Sequence, residues 1–405
     1  MSAWLAVVGL GEDGLAGLNP AARALVEGAE VLVGGARHLA LVPEGKARRI
    51  LWQSRLAATL EELAALSGRR VVVLASGDPL CYGVGVTLAR RFAAEEMIVL
   101  PQPSAFSLAA SRLLWPLAEC VSLSLHGRPL DRLRLHLTPG ARILALSTDG
   151  GTPAAAAALL TDAGWGPSAL TVLEHLGGAR ERRLDGTAAE WPYERTADLN
   201  LLAIECRPEP GARAFSRRAG LPDDAFAHDG QLTKRAVRAA TLAALAPLPG
   251  ELLWDVGSGC GSIAIEWLRS GRSMRAICFE RDPARCALIA ANAAGLGVPE
   301  VAIVPGEAPA SLAGQPRPDA VFVGGGASDV ALLAASWQEL RPGGRLVANA
   351  VTLDGEAQLA RWHASHGGEL TRISVARAEP MGRRRGFKPA LSVTQLALAK
   401  SADAP

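Results

Sequence analysis

A glycine-rich turn at residues 257–261 constrains this chain more than any other feature of its sequence. It reads Gly-Ser-Gly-Cys-Gly, follows the largely apolar run 252–256, and precedes residues 262–268, whose apolar positions have helical spacing. That order predicts a strand, a loop and a helix of an α/β sheet. Glycines in such a loop can adopt positive φ angles and let a ligand approach the backbone, beside the positive end of the following helix. The sequence therefore predicts a binding loop at this strand end.

Three further features narrow the type of loop. Its Gly-x-Gly-x-Gly spacing differs from the Gly-x-Gly-x-x-Gly fingerprint of nicotinamide and flavin domains. The next predicted strand, 275–280, ends in Glu280 about twenty residues further on, where a carboxylate binds ribose hydroxyls. Gly-Glu-Ala-Pro at 306–309 follows another apolar run, and 319–326 is a further strand with a glycine turn. A nicotinamide site and a turn without a ligand are the alternatives at this point.

Together these features resemble the class I S-adenosylmethionine methyltransferases. The resemblance implies that Glu280 binds the ribose of the methyl donor, that Ala308 contacts its adenine, and that Asp255 supports the loop and faces the amino group. Thr233 either caps the helix that follows it or hydrogen-bonds the donor's carboxylate. The donor-binding residues implied for this half of the chain are Thr233, Asp255, Gly257, Ser258, Gly259, Gly261, Glu280 and Ala308.

The bulk composition excludes several classes of protein. A chain of 405 residues is expected to form two or three domains. A net charge of +2 and an aromatic content of 4% provide neither the electrostatic field nor the stacking surfaces of a nucleic-acid-binding protein. The six cysteines have no metal-ligand spacing, and His363 and His366 lack a third ligand, so no metal site is predicted. No run approaches the ~20 apolar residues of a membrane span and no signal peptide is evident, so we expect a cytoplasmic protein with reduced thiols and no membrane partner.

Apolar runs alternate with helical patterns along the whole chain, which predicts an α/β fold. Residues 206–222 combine proline, glycine and charge without periodicity and mark a boundary. The predicted organisation is a two-lobed first domain at 1–207 (lobes about 1–101 and 102–207), a linker at 208–222, and a Rossmann-like second domain at 223–405 with a frayed tail after Lys400. The strands predicted for the first domain are 4–8, 31–33, 71–75, 98–100, 120–125, 142–146, 170–173 and 200–205, with helices from Asn19 and at 55–66, 83–94 and 154–163.

Two loops at predicted strand ends stand out in the first domain, at 9–14 and 76–79, because ligands of open α/β sheets bind beyond the carboxyl ends of the strands. With Pro-Ser-Ala at 103–105 and the glycine pair 177–178, they resemble the tetrapyrrole (precorrin) methyltransferases called class III, in which two α/β lobes enclose the methyl donor. Many relatives carry Pro-Gly-Asp after the first Gly-x-Gly, whereas this chain has Glu-Asp-Gly at 12–14. The implied donor-binding residues are Gly9, Gly11, Gly77, Asp78 and Ser104.

Two segments resemble particular branches of the precorrin methyltransferases. Residues 121–128 resemble the branch that methylates carbon 5 of precorrin-6Y, and 226–235 resemble the partner domain that methylates carbon 15. His126 is either a structural histidine or a substrate contact. Arg128 is the stronger candidate, because the implied substrate carries many carboxylates and a guanidinium binds them bidentately.

A class III domain followed by a class I domain resembles the two-domain precorrin methyltransferases of the cobalamin pathway. The resemblance implies methyl transfer to carbon 5 by the first domain and to carbon 15 by the second, with loss of carbon dioxide from an acetate side chain to give precorrin-8. His228, Lys234, Arg235 and Arg238 are candidate clamps for the ring carboxylates, or else solvated positions on a helix. The basic segment 381–388 is a lid over the ring, a subunit contact or a solvated turn. The resemblance also implies a homo-oligomer, with a tetramer through the second domain as one arrangement.

Three other functions stay open on the sequence. An RNA methyltransferase would need a basic stripe with interleaved aromatic residues, and outside 383–388 there is none. A dehydrogenase would need a glycine at the fingerprint position that Ser262 occupies. In the third alternative the first domain only delivers the substrate and does not catalyse.

Overall fold

The computed structural model describes residues 3–53 and 56–402 of the chain. The chain divides into two compact units, of which the first contains Met1–Leu130 and Thr138–Arg213 and the second contains Asp131–Leu137 and Ala214–Pro405. Both units are α/β structures, which confirms the predicted fold class. Arg55, the first residue of a predicted helix, and residues 403–405 of the predicted frayed tail lie outside the described residues.

The first unit contains two five-stranded sheets and six α-helices among its described residues. Its strands are β1 (Leu5–Leu10), β2 (Val31–Gly34), β3 (Arg48–Leu51), β4 (Val71–Ser76), β5 (Met97–Leu100), β6 (Cys120–Ser124), β7 (Arg142–Leu146), β8 (Ala169–Glu174), β9 (Arg182–Thr187) and β10 (Asn200–Glu205). Its helices are α1 (Pro20–Glu27), α2 (Ala36–Ala40), α3 (Leu56–Ala64), α4 (Gly85–Arg91), α5 (Ala105–Leu113) and α6 (Thr152–Asp162).

The first sheet has the strand order β3-β2-β4-β1-β5, and all its pairings are parallel. β1 and β2 are buried along their whole length, because parallel strands are covered on both faces, and this explains their continuous apolar runs. α1 begins as predicted, with the side chain of Asn19 accepting a hydrogen bond from the backbone N–H of Ala22 and with Pro20 in the first turn. The parallel pairing brings the loops after β1, β4 and β5 to one edge of the sheet.

The second sheet has the order β6-β7-β10-β8-β9. Only β6 and β7 pair in parallel; β7 with β10, β10 with β8 and β8 with β9 are antiparallel. Helix α5 covers one face through Phe106 and Ala109, which pack in one apolar cluster with Leu144, Leu173 and Leu201. The second lobe therefore contains a mixed sheet, whereas the sheet of the first lobe is parallel.

The second unit contains a seven-stranded sheet, a two-stranded hairpin and five α-helices among its described residues. Its strands are β11 (Leu252–Val256), β12 (Arg275–Glu280), β13 (Ala302–Pro305), β14 (Ala320–Val323), β15 (Arg345–Ala350), β16 (Glu369–Ile373), β17 (Ala376–Met381), β18 (Arg384–Pro389) and β19 (Val393–Ala399). Its helices are α7 (Arg235–Leu245), α8 (Ser262–Ser270), α9 (Pro283–Gly295), α10 (Val330–Glu339) and α11 (Leu353–His366).

The large sheet has the order β13-β12-β11-β14-β15-β19-β16. The first five strands are parallel, whereas β19 is antiparallel to both of its neighbours. The order reverses between β12 and β14 around β11, and such a switch point is where ligands of doubly wound sheets bind. The predicted strand, glycine turn and helix at 252–268 are confirmed and lie at that point, so the predicted Rossmann-like second domain is confirmed.

One segment belongs to the second unit although its flanking strands belong to the first. Residues 131–137, most of a 3-10 helix at Leu130–His136, connect β6 to β7. Leu135 packs on an apolar cluster of the second unit that includes Leu221 and Phe226, and Arg132 pairs with Glu300 at 3.1 Å. No sequence pattern indicated this exchange, and the predicted domain limits of 207 and 223 stay a prediction.

Candidate functional site

The glycine loop of the second unit leaves space above one of its three glycines. Gly257, Gly259 and Gly261 all have positive φ angles, of 70°, 58° and 78°. A Cβ on Gly257 would lie 2.9 Å from the backbone nitrogen of Gly325, so that glycine is required for packing. A Cβ on Gly259 would meet only the carbonyl oxygen of Gln231, at 4.0 Å. Gly259 therefore borders open space that a side chain would enter.

Glu280 lies at the same strand end and closes the loop. Its Oε2 accepts a hydrogen bond from the backbone N–H of Gly259 at 2.9 Å, and its Oε1 accepts one from the N–H of Asp282 at 3.0 Å. Each carboxylate oxygen has a second lone pair, so both retain capacity for a donor such as a ribose hydroxyl. The backbone N–H of Gly306 donates to the carbonyl oxygen of Glu280, which brings the predicted adenine-binding residue, Ala308, into the same neighbourhood.

Asp255 provides the unusual electrostatic feature of this site. Its side chain is 1% exposed; Oδ2 accepts a hydrogen bond from the N–H of Ala264, whereas Oδ1 is buried and has no partner among the described residues. Burial raises the pKa of the carboxyl to about 7, the N–H of Ala264 acts in the opposite direction, and the negative charge of Glu280 adds to the rise. Ser258 donates to the carbonyl oxygen of Asp255 at 2.6 Å. An unpaired carboxylate oxygen beside a glycine cleft fits the cationic amino group of a methionine moiety.

The residues before α7 differ from the prediction in two respects. Lys234, not Thr233, occupies the N-cap of α7, so the helix-capping interpretation of Thr233 is wrong. Arg238 was predicted to be a clamp or a solvated position, and it is neither, because it is completely buried. Its guanidinium pairs with Glu266 at 2.6 Å and with Asp223 at 3.2 Å. Arg238 therefore holds α7 in place and cannot bind a substrate.

The other predicted clamps of this unit are exposed. His228 accepts a hydrogen bond from the N–H of Gly230 through Nδ1 at 3.0 Å, and Lys234 and Arg235 lie at the solvent-facing start of α7. Arg235 lines an open groove of about 690 Å³ to which Arg377 of strand β17 also contributes. Asp223 and Asp224 line the same groove, and Arg377 pairs with Asp223 at 3.5 Å, so the groove carries both signs of charge.

The basic segment 381–388 forms the turn and most of one strand of the β17–β18 hairpin. Its apolar side chains Met381 and Phe387 are 69% and 79% exposed. The segment is thus a largely exposed hairpin, and the interpretation as a solvated turn also stays open. The two alternatives, a lid and a subunit contact, stay predictions.

In the first unit the structure brings the predicted glycines together for a packing reason. A Cβ on Gly9 would lie 1.8 Å from the carbonyl oxygen of Gly77, and one on Gly77 would lie 3.1 Å from the Cα of Ser104. The N–H of Gln102 donates to that same carbonyl oxygen at 3.0 Å. The loops after β1, β4 and β5 thus touch through their backbones, and only glycine allows this approach.

The polar residues of these loops have defined local roles. Asp78 accepts a hydrogen bond from the N–H of Leu80 at 2.9 Å, and Ser104 caps α5 by accepting one from the N–H of Ser107 at 3.1 Å. Ser104 is thus required for the helix whether or not it binds a donor. Gly11 lies where a Cβ would meet the carboxylate of Asp13 at 2.5 Å.

Arg128 lies in the exposed loop that follows β6. Its guanidinium lies over the ring of Tyr82, 5.3 Å from the centroid, and the hydroxyl of Tyr82 donates to the carbonyl oxygen of Ser122. Tyr82 has a φ of 57°, which is uncommon for a bulky side chain. No sequence pattern indicated Tyr82, because left-handed geometry at a non-glycine residue has no sequence signature.

The sequence also missed a charged cluster around Glu12. Its Oε1 accepts a hydrogen bond from Arg37, and its Oε2 lies 3.2 Å from Nδ1 of His175. Arg37 in turn donates to Ser76 Oγ at 2.7 Å, and His38 Nε2 lies 2.9 Å from the same oxygen. A sequence signal for Glu12 was present, because Glu12 lies where the loop departs from the pattern of the tetrapyrrole methyltransferases.

Burial and charge set the ionisation of this cluster. Burial would raise the pKa of Glu12, but the hydrogen bond from His175 and the charge of Arg37 outweigh it and hold that pKa below its ordinary value. Burial and the charge of Arg37 lower the pKa of His38 to about 4. Glu12 is therefore an anion and His38 a neutral ring near pH 7.

Other kinds of site are not seen in the part of the chain that the structure describes. No group of three or more metal-ligating side chains occurs there, and the six cysteines are unpaired thiols. Within residues 3–53 and 56–402, no helix has both the length and the apolar character that crossing a bilayer requires.

Comparison with known proteins gives a match for each half of the chain. Residues 5–192 match the family described as tetrapyrrole (corrin/porphyrin) methylases, and residues 224–400 match the family described as the precorrin methyltransferase domain. A Sinorhizobium protein named precorrin-6Y C(5,15)-methyltransferase (decarboxylating) is 52% identical over 398 residues, which covers 98% of this chain and 96% of the relative.

Two shorter proteins of Salmonella typhimurium each match part of the chain. One, named cobalt-precorrin-7 C(5)-methyltransferase, is 33% identical over 198 residues, which is 48% of this chain and 96% of the relative. The other, named cobalt-precorrin-6B C(15)-methyltransferase (decarboxylating), is 35% identical over 163 residues, which is 39% of this chain and 83% of the relative.

Proposed function

Because this chain belongs to the family of precorrin-6Y C(5,15)-methyltransferases (decarboxylating), we propose that it transfers two methyl groups from S-adenosylmethionine to precorrin-6Y. The acceptors are carbons 5 and 15, and one acetate side chain loses carbon dioxide, which gives precorrin-8. The observation that carries this proposal is that each unit places glycine loops at the carboxyl ends of parallel strands, in a chain of which 98% matches a relative named for both reactions.

We assign carbon 5 to the first unit, and carbon 15 with the decarboxylation to the second. The relative named for carbon 5 matches over 198 residues, close to the length of the first family match at 5–192. The relative named for carbon 15 and decarboxylation matches over 163 residues, which fits within the second family match at 224–400. These lengths support one reaction for each unit.

In the second unit the loop 257–261 would hold the methionine part of S-adenosylmethionine, which supplies a methyl group already activated by its sulfonium. Asp255 would pair its free Oδ1 with the amino group, and Glu280 would accept from the ribose hydroxyls. Ala308 would face the adenine and Thr233 the donor's carboxylate. These residues position the methyl group and exclude water, so that catalysis consists of orientation in a dry site.

In the first unit we propose that a second donor binds where the loops after β1, β4 and β5 meet. The residues that would line it are Gly9, Gly11, Gly77, Asp78 and Ser104. The close backbone packing of Gly9 on Gly77 fixes the shape of this cleft. Its polar groups are the carboxylate of Asp78 and backbone N–H groups beside the start of α5.

Positive side chains near both clefts would hold the ring carboxylates. We propose Arg128 for the first unit, and His228, Lys234 and Arg235 for the second. Decarboxylation in the second unit needs an electron sink, which the conjugated ring supplies, and one carboxylate left without a cationic partner while the others are held. The exposed positions of Lys234 and Arg235 support this role, because they can reach a substrate without breaking internal contacts.

We further propose that the enzyme acts in the cytoplasm and forms a homo-oligomer through the second unit, with the precorrin ring as its small-molecule partner. Six unpaired cysteines are in keeping with a reducing compartment. The exposed Met381 and Phe387 of the hairpin support a contact surface there.

Mass spectrometry of the product made with methyl-labelled S-adenosylmethionine tests the division of labour. We expect the wild-type product to carry two labelled methyl groups and to lack one carbon dioxide. Gly259→Arg should lose the carbon-15 methyl and the decarboxylation, because its side chain enters the open cleft, whereas Asp78→Arg should lose only the carbon-5 methyl. Matched controls are Gly314→Arg, at a glycine with a φ of 75° and open space around it, and Asp162→Arg on the surface of the first unit.

The proposal fails if the wild type transfers no labelled methyl to the ring. The assignment of reactions to units fails if Gly259→Arg loses the carbon-5 methyl and keeps the other, or if both variants lose the same methyl group. Circular dichroism of each variant shows whether a loss reflects unfolding.

A further inference from the structure

Methylation of a ring carbon that carries hydrogen leaves a proton to be removed, and the first unit contains a base in a suitable place. When carbon 5 gains a methyl group, the new bond takes its electron pair from the ring, and the S–CH3 bond pair goes to sulfur. Carbon 5 then holds both hydrogen and methyl, and the ring carries the positive charge that the sulfonium lost. Loss of the proton returns the C–H electron pair to the ring and restores conjugation.

We propose that His175 takes this proton through Nε2, and that Glu12 positions His175. The inference rests on the proposed carbon-5 methylation by the first unit. His175 would be a catalytic base and Glu12 a positioning residue. The proton passes afterwards to water, so that the sulfonium and the substrate yield a thioether, the methylated ring and one proton.

The hydrogen bond between the two side chains fixes the tautomer of His175. Nδ1 of His175 lies 3.2 Å from Oε2 of Glu12, and the side chains are 15% and 11% exposed. An ionised carboxylate only accepts hydrogen bonds, so Nδ1 must donate and Nε2 carries the free lone pair. No hydrogen bond to Nε2 is found among the described residues. A carboxylate that orients a histidine in this way is a common arrangement for a general base.

The backbone holds His175 under strain. Its φ is 47°, in the left-handed region, which costs energy in a non-glycine residue and is concentrated at functional sites. Two ion pairs fix the loop on either side of it: Glu174 pairs with Arg182 at 2.6 Å, and Glu181 pairs with Arg112 at 2.5 Å. The surrounding structure thus over-determines the conformation of His175.

The pair also adjoins the cleft that we propose for the donor. Glu12 follows Gly11, and the chain of hydrogen bonds from Glu12 through Arg37 reaches Ser76, the neighbour of Gly77. A Cβ on Gly178 would lie 2.6 Å from Cβ of Glu12, so the loop after β8 rests directly on the loop after β1. His175 is therefore held beside the donor loops of the first sheet.

The surroundings of His175 differ from those of the nearby His38. Glu12 contacts His175 directly, the cations Arg37 and Arg180 pair with Glu12, and the ring of His38 contacts Arg37. His38 cannot serve, because burial and Arg37 lower its pKa to about 4. The adjacent Glu174 is already engaged with Arg182.

The test uses the full-length protein, S-adenosylmethionine, and precorrin-6Y with hydrogen or deuterium at carbon 5. His175→Asn keeps an N–H for Glu12 and tolerates the left-handed backbone but has no basic nitrogen. We expect it to form the carbon-5 product about 10²–10⁴-fold more slowly, to show a primary deuterium isotope effect absent from the wild type, and to lose the rise in rate with pH. Added imidazole should restore part of the rate. The methyl at carbon 15 and the decarboxylation, measured in the same reactions, should be unchanged.

Glu12→Gln provides the readout for positioning. Without the carboxylate, Nδ1 of His175 is no longer held as the hydrogen-bond donor, so the carbon-5 rate should fall less than in His175→Asn, the deuterium isotope effect should appear, and the donor affinity should stay unchanged. Leu114→Asn, at an 89% exposed residue with a φ of 53°, is the matched control and should behave as wild type.

Two results would overturn the inference. In the first, His175→Asn keeps the carbon-5 rate and its pH dependence. In the second, it loses donor affinity and shows neither an isotope effect nor rescue by imidazole, which would mean a structural role. If the wild type instead adds no methyl at carbon 5, the proposed function of the first unit fails along with the inference.

Discussion

Asp255 is a residue whose chemistry opposes the stability of the fold. A carboxyl with a raised pKa holds its proton in the folded state at a pH where the unfolded chain has lost it. Between the ordinary aspartate value of 3.8 and about 7, the folded state therefore binds one more proton than the unfolded state, and stability falls as pH rises. Such a cost is typical of a residue retained for binding.

We predict that Asp255→Asn stabilises the protein without donor at pH 8 relative to the wild type, and does so much less at pH 5. The expected difference is a few kcal/mol, because each unit of pKa shift corresponds to about 1.4 kcal/mol. Chemical denaturation at both pH values measures it. Asp229→Asn is the control, since the N–H of Gln231 and then Arg285 lower the pKa of Asp229, and its charge is the same in both states over that range. Equal stability changes at pH 5 and pH 8 would contradict the prediction.

Helix α7 shows how one buried arginine can position an element. Arg238 donates to the carbonyl oxygens of Thr233 and Leu221, pairs with Glu266 of α8, and lies over the ring of Phe226, 4.8 Å from the centroid. Glu266 also accepts the N–H groups of Gly220 and Leu221. The segment that leads into the second unit is therefore tied to two helices through one ion pair.

We predict that Arg238→Leu lowers the free energy of unfolding of the second unit by about 3–5 kcal/mol, because it leaves Glu266 as an unpaired buried charge. Arg235→Leu, on the exposed side of the same helix, should change it by at most about 0.5 kcal/mol. The double variant Arg238→Leu, Glu266→Leu should recover part of the loss, since neither charge then remains. Urea denaturation measures all three. A similar effect of Arg235→Leu and Arg238→Leu would contradict this account.

The positive charge of the hairpin β17–β18 can be tested by substitution. If the hairpin covers the ring and binds its carboxylates, reversal of its charge should weaken substrate binding. We expect Arg383→Glu with Arg385→Glu to raise KM for precorrin-6Y about 10-fold at low salt and less at high salt, because exposed charges are screened. The rate at saturation should stay the same. Steady-state kinetics at two ionic strengths measure this, and an unchanged KM with a smaller sedimenting species would indicate a subunit contact instead.

The elements were predictable where local signals were strong. β1 and β4 are continuous apolar runs, and α1 carries both an asparagine cap and a proline, so their positions were confirmed to within two residues. β3 and β9 were missed, because both lie at sheet edges, where charged residues such as Arg48 and Arg182 replace the apolar pattern. Patterns of burial cannot reveal a strand that is hardly buried.

The site was predictable to the extent that backbone geometry requires glycine. Gly257 and Gly77 were identified because a side chain has no room there. Arg238 was misassigned because a basic residue near a helix start looks the same in sequence whether it is solvated or buried. His175 and Glu12 are 163 residues apart in the chain, and only the fold brings them into contact.

For the whole molecule we predict two donor sites that act independently. Isothermal titration with S-adenosylhomocysteine should give about two equivalents for each wild-type chain and one for Gly259→Arg or Asp78→Arg. This follows from two sets of glycine loops that lie at the strand ends of separate sheets. A single equivalent for the wild type would contradict the presence of a donor in each unit.

The segment 131–137 has a consequence for how the molecule can be divided. Because that segment belongs to the second unit and its neighbours on both sides belong to the first, the backbone passes from one unit to the other three times. If a protease cut only the linker, residues 131–137 would stay covalently attached to the larger fragment, which contains the first unit. They would also stay packed in the second unit. If the two halves were made as separate polypeptides, residues 131–137 would have to bind the second unit after a diffusional encounter. Leu135 would then have to reach its apolar cluster without a covalent connection to it.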